Sequence, residues 1–117
     1  MKTIFYIYLT FLIFTIIGLK VLSADSIEDV KLRADQGDEV AQLQVGRYYE
    51  NISEFTKALE YYSLSAQQGN AFAEYNIGRV YEYGIGVKAD WHEAAKWYIK
   101  ANEQGIPLPP HQIREEE

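Results

Sequence analysis

Two stretches of this chain, "GDEVAQLQVGRYYE" from Gly37 and "GNAFAEYNIGRVYE" from Gly69, repeat at an offset of 32 residues. The same residue types recur in step as Gly37/Gly69, Ala41/Ala73, Gly46/Gly78, Arg47/Arg79, Tyr49/Tyr81 and Glu50/Glu82. The stretches that follow, "KALEYYSLSAQQG" from Lys57 and "EAAKWYIKANEQG" from Glu93, match at an offset of 36 through Ala58/Ala94, Tyr62/Tyr98, Gln68/Gln104 and Gly69/Gly105. The register jump of four lies between Glu82 and Ala94, where the second copy holds Gly84-Ile85-Gly86-Val87. A unit of this length cannot bury its apolar face alone, so successive copies must stack.

Each copy carries two helical patterns. Ala41, Val45, Tyr48 and Tyr49 in the first helix are mirrored by Ala73, Ile77, Val80 and Tyr81. Phe55, Ala58, Leu59, Tyr62 and Ala66 in the second are mirrored by Trp91, Ala94, Ala95, Tyr98 and Asn102. Steps of three and four place each set on one helix face. Ser53 is positioned to cap one second helix, and Asp90 with Glu93 forms a capping-box pattern for the other. Gly37, Gly69 and Gly105 stand where helices should stop. Gly46 and Gly78 are different, because each falls inside a first helix, where glycine costs about 1 kcal/mol relative to alanine. A cost repeated at one phase predicts a helix crossing, with Tyr62 or Tyr98 filling the space that a Cβ would take.

Ile27, Val30 and Ala34 fall at the places of Leu59, Tyr62 and Ala66, so Ser26 to Gln36 reads as an unpaired second helix closing the amino-terminal end. The predicted fold is all-α, a short α-solenoid of antiparallel helix pairs with two repeats and that capping helix. The cap spans 26–37, repeat one 38–69 and repeat two 70–105. Residues 106–117 form a proline-rich charged tail in which Pro107, Pro109 and Pro110 forbid a continuing helix, so the carboxyl-terminal end of the stack is expected to be thinly covered.

The first 24 residues differ in kind. Met1-Lys2 is followed by an uncharged run from Ile4 to Leu19, about 24 Å as helix against the ~30 Å of a hydrocarbon core. With Ser23-Ala24 behind it, the segment reads as a secretory signal peptide, the alternative being an uncleaved anchor in the inner membrane. The expected location is periplasmic or secreted, with membrane contact only through residues 1–24. Beyond Ala24 stand all 17 acidic residues against nine Lys and Arg, a net charge of −8. That balance repels nucleic acid and anionic lipid heads. There is no cysteine, so packing alone must hold the domain.

"AEYNIGRVYEYGIGVKADWHEAAKWYIKANEQG", Ala73 to Gly105, resembles a Sel-1-like repeat, of the helix-pair family related to tetratricopeptide repeats. Ala73, Gly78, Tyr81, Gly84, Gly86, Val87, Asp90, Ala94, Trp97, Tyr98, Lys100, Ala101, Gln104 and Gly105 meet the family pattern, while Ile77 and Asn102 replace a leucine and an alanine. The copy from Ala41 to Gly69 lacks the Gly-x-Gly-Val loop and has Tyr61 for the tryptophan. The resemblance implies a superhelical scaffold for protein–protein contact. It also implies an exported bacterial protein, with immunity proteins or adaptors as one such use.

The residues offer little chemistry. Gly84 and Gly86 follow a helix rather than a strand, and Asp90 would repel a phosphate, so "GRVYEYGIGV" reads as a turn. His92 and His111 do not converge with other ligands, so no metal site and no cofactor are expected. No histidine sits near a serine, and the carboxylates Asp38-Glu39 and Glu115 to Glu117 read as solvated charge, so no enzyme is expected. Asn51-Ile52-Ser53 is formally a glycosylation sequon. Leu43, Arg47 and Glu50 lie opposite the core stripe of the first helix, and Tyr75, Arg79 and Glu82 repeat them, with Tyr83 at the edge. These seven are the expected partner-binding residues for a protein or peptide. Arg47/Glu50 and Arg79/Glu82 also read as helical ion pairs at spacing three. The alternatives are a carboxylate-dependent cell-envelope hydrolase and a structural repeat protein that self-associates through Trp97 and Ile99.

Overall fold

The computed structural model describes residues 1–22 and 25–111. The cleavage site expected at Ser23-Ala24 and the charged tail expected from Gln112 to Glu117 lie outside these residues. The chain forms α1 (Lys2–Leu22), α2 (Ile27–Asp35), α3 (Glu39–Asn51), α4 (Phe55–Gln67), α5 (Ala71–Tyr83) and α6 (Trp91–Glu103), with no strand among the described residues. From α2 onward each helix packs on the next, giving two antiparallel pairs behind a leading helix. This is the all-α solenoid that the spacing predicts. α1 stands apart and exposes its side chains from Met1 to Ile17. Among the described residues no helix is long and apolar enough to cross a membrane.

Helix starts follow from short polar side chains that accept the free amides of the first turn. Asp38 accepts from Val40 and Ala41, Asn70 from Ala73, and Asp90 from Glu93. Ser26 forms a reciprocal capping box with Asp29. The box expected at Asp90 is only half made, because the Glu93 carboxylate turns to Lys96 and to the Trp97 indole. Ser53 does not cap α4. Only a three-residue link joins α3 to α4, and Ser53 takes the left-handed conformation (φ 62°) that reverses the chain. α4 then starts at Glu54 with no side-chain cap. The second copy spends its four extra residues on this problem. Gly84 takes the left-handed position (φ 64°) and Asp90 is left available as a cap. A Cβ on Gly86 would run into Phe55, so that glycine lets the loop close against the start of α4. The glycine-rich stretch is a turn, and Val87 packs on the core as it closes.

The core is built from Ala41, Val45, Ala58, Tyr62, Ala66, Ala73, Ile77, Val80, Ala94, Tyr98 and Ala101, with Ala34 of α2 at one end. Three expected core positions are displaced. Tyr48 and Trp91 are each 38% exposed. Asn102 is exposed and bonds to the Ile106 carbonyl while Ala101 is buried. In α6 the buried position is Ala101, matched by the buried Ser65 in α4, where the expected Ala66 is buried as well. Trp97 packs against the core rather than offering itself for self-association, whereas Ile99 is exposed. The carboxyl-terminal end is better covered than the prolines suggested, with Pro109 buried and His111 drawn onto α5.

Gly46 and Gly78 are helix crossings. A Cβ on Gly46 would lie 2.5 Å from the Tyr62 ring, and one on Gly78 would lie 2.8 Å from the Tyr98 ring. Both rings are fully buried, so each must shift to admit the added carbon. Alanine at Gly78 gains up to about 1 kcal/mol of helix propensity but overpacks the crossing, which typically costs about 1–3 kcal/mol. Gly78→Ala and Gly46→Ala are therefore each expected to lower the midpoint of denaturant unfolding. A midpoint unchanged or raised in both would refute the crossing.

Candidate functional site

Below the crossing, each buried tyrosine brings a hydroxyl that requires an acceptor. Tyr62 donates to Glu50 Oε2 at 2.6 Å, and Tyr98 donates to Glu82 Oε2 at 2.5 Å. The same event occurs in both repeats, from the second helix back to the first. The other oxygen of Glu50 receives Arg79 Nη2 at 3.1 Å, a bond from one repeat to the next. Arg79 also donates to Asn76. Burial raises the Glu50 pKa, but bonds from Tyr62 and Arg79 outweigh it, with Arg47 nearby, and hold the carboxyl below its ordinary value. Burial and the neighbouring carboxylate together push both tyrosine hydroxyls far upward, so they remain donors at any physiological pH. Glu82 Oε1 lies 2.6 Å from His111 Nε2.

The ion pairs expected at spacing three within one helix are therefore not the ones that form. Glu50 pairs with Arg79 of the following repeat rather than with Arg47. Glu82 is taken by Tyr98 and His111 rather than by Arg79. A buried hydroxyl has more to lose without a partner than an exposed ion pair has to gain. The signal was present in the sequence, since Tyr62/Tyr98 and Glu50/Glu82 recur together. A second matched contact joins the same helices elsewhere. Gln68 Nε2 donates to Gln42 at 2.8 Å, and Gln104 Nε2 donates to Glu74 at 2.8 Å.

Five of the seven expected binding residues, Leu43, Arg47, Glu50, Tyr75 and Arg79, line one open cavity of about 590 Å³ between α3 and α5. Tyr62 lies at its base, and Asn51, Phe72 and Asn76 complete the lining, none of them anticipated. The other two sit elsewhere. The Glu82 side chain is 12% exposed and already bonded, and Tyr83 is exposed beyond the cavity. Two features remain open to a ligand. Phe72 is 61% exposed, and Arg47 has no carboxylate within ion-pair distance among the described residues. Amide side chains, an arginine and an apolar ring suit a peptide backbone and its side chains. No three His, Cys, Asp or Glu side chains gather to hold a metal among the described residues.

A family model described as Sel1 repeat matches residues 40–70 and 71–106, more than half of the chain. The chain belongs to the Sel1 repeat family. Repeats of this family generally serve as protein–protein interaction modules without catalytic activity. Solved structures similar to it include two Sel1-type repeat proteins. One is a protective antigen present in uropathogenic Escherichia coli strains displaying an SLR fold, at 34% identity and a TM-score of 0.66 over 72% of this chain. The other is a Sel1 repeat protein from Oxalobacter formigenes, at 33% identity and a TM-score of 0.65 over 70% of this chain. This Sel1 chain covers 19% and 25% of the length of those two proteins. No curated protein matches it.

The Glu50 node carries a pH signature. A carboxyl held low by folding adds stability that is fully present above the ordinary glutamate range and is lost as pH falls through its depressed value. Tyr62→Phe keeps the ring in the crossing and removes one of the two bonds to the ionised form. At neutral pH it should cost about 1.5–3 kcal/mol, the range for a hydrogen bond to a charged group. That cost should shrink below about pH 4, where a glutamate protonates. Urea unfolding of both proteins between pH 7 and pH 3 measures this, and a constant difference would refute the node.

Proposed function

We propose that this Sel1 repeat protein is an exported, non-enzymatic binding module whose partner is a protein or peptide segment lying in the α3–α5 trough. The observation that carries the reading is the pairing, inside one open cavity, of an exposed phenylalanine with an arginine that has no carboxylate within ion-pair distance among the described residues. Aromatic and arginine side chains are the types that most often anchor interfaces. A volume of about 590 Å³ suits a few residues of extended chain. Export rests on the apolar α1, exposed from Met1 to Ile17 and preceding a domain without cysteine. An immunity or adaptor role suits the acidic surface, which speeds encounter with a basic partner. The hydrolase reading finds less support. Glu50 and Glu82, the carboxylates at this face, are already committed, Glu50 to Tyr62 and Arg79 and Glu82 to Tyr98 and His111. Glu50 is also shifted away from the raised pKa that a general acid needs.

A photo-crosslinking residue at Phe72 in the intact protein, expressed in a bacterial envelope, tests the trough. It should capture a discrete protein that the same residue at Leu32 on α2 does not capture. Arg47→Ala should reduce that capture several-fold without altering the fold, since Arg47 makes no ion pair. Equal capture from both positions would overturn the assignment.

A further inference from the structure

The two repeats complete the same cluster with different groups. In the first, Glu50 gives one oxygen to its own tyrosine, Tyr62, and the other to the guanidinium of Arg79 from the repeat that follows. In the second, Glu82 gives one oxygen to Tyr98 and the other to the imidazole of His111. The carboxylate and hydroxyl are matched positions in the repeat, and the group on the second carboxylate oxygen is not. A histidine thus fills, on Glu82, the role that an arginine fills on Glu50.

The two occupants are held differently. Arg79 rises from the middle of α5, and its side chain is one-third exposed. His111 lies on the non-helical segment after α6, its side chain is 46% exposed, and its ring rests 5.6 Å from the Trp91 ring. The carboxylate beneath is the more enclosed of the two, at 12% against 19%. Among the described residues the imidazole meets this carboxylate and the Trp91 ring, and the Tyr98 hydroxyl is bonded to the same carboxylate. A guanidinium stays charged at neutral pH, presents several planar donors to a carboxylate, and stacks on indole. An imidazole offers the carboxylate only a single N–H along one direction.

We propose that Glu82 and Tyr98, flanked by Trp91, form a socket for an arginine side chain of a basic partner segment, and that His111 is its exchangeable resident. The chain already shows the preferred occupant, because the equivalent socket in the first repeat holds an arginine. The net charge of −6 favours a basic partner over an acidic one. The socket also adjoins the trough, since Tyr75 lines the trough and packs on Tyr98 with ring centroids 5.1 Å apart. The inference builds on the binding role proposed above and adds the partner's chemistry. The two fail separately, because Phe72 crosslinking reads the trough and the experiment below reads the socket.

The probe is the blocked tripeptide acetyl-Gly-Arg-Gly-amide, titrated into the full chain in mild detergent and followed by the indole N–H resonance of Trp91. The neutral citrulline analogue serves as its control. His111→Ala removes the resident, so the arginine peptide should bind it roughly tenfold more tightly than the parent protein, equivalent to one good ionic contact. The citrulline peptide should bind neither protein measurably, and Glu82→Gln placed on His111→Ala should abolish the gain. Equal binding of both peptides, no gain from His111→Ala, or a gain that survives Glu82→Gln would each overturn the socket. Should Glu82→Gln fail to fold, His111→Arg decides by itself. It fills the socket from within and should raise the melting temperature by a few degrees, a rise that Tyr98→Phe removes. A melting temperature no higher than the parent's would also overturn the proposal.

Discussion

Because neither Gly46 nor Gly78 carries a Cβ, the rings of Tyr62 and Tyr98 sink to the backbone of the facing helix and deliver their hydroxyls to Glu50 and Glu82. Most of what distinguishes this stack follows from that contact. A buried hydroxyl left without an acceptor is costly, so a carboxylate stands at the matched position in each repeat. A half-buried carboxylate in turn requires positive charge, and in the first repeat that charge comes from Arg79 across the repeat boundary. Close packing within one pair thereby sets the ionic link to the next. The glycine is unfavourable within its own helix, and the tyrosine that it admits more than offsets that loss.

The architecture was legible because it is written twice. Matched glycines, alanines and tyrosines at two offsets gave the helix pairs, their crossings and the glycine turn before any coordinates. The local detail was less legible, and the reason is spatial. Ser53 looks like a helix cap in the linear sequence, but a three-residue link leaves no other residue to turn the chain, and the turn takes precedence. Asn102 matches Ala66 in alignment, yet in α6 the buried position is Ala101, matched by Ser65. Rules based on spacing within one helix also assigned Arg79 to Glu82, because they see neighbours along a helix and not the tyrosine arriving from another.

The cavity shows the same division. Leu43, Arg47, Glu50, Tyr75 and Arg79 were reached by asking which residues point away from the core, and they line one space. Phe72 and Asn51 enter it from the ends of α5 and α3, where phase along the helix says little about direction, whereas Asn76 lies mid-helix one turn before Arg79, to which it is hydrogen-bonded. Arg47 has a structural reason to stand open. It occupies the position that in the next repeat reaches back to a glutamate, but among the described residues no acidic side chain of a preceding helix lies within ion-pair distance of it. A cation is thereby left exposed at the trough.

From α2 to α6 each helix packs mainly on its sequence neighbours, and helices further apart are joined by single polar bonds such as Glu50–Arg79 between α3 and α5 and Tyr61–Asp35 between α4 and α2. The stability of such a body is approximately a sum of its units and the interfaces between neighbours. Tension applied to its two ends would peel away one hairpin at a time, so the object behaves as a short spring with graded extension rather than as a latch that snaps.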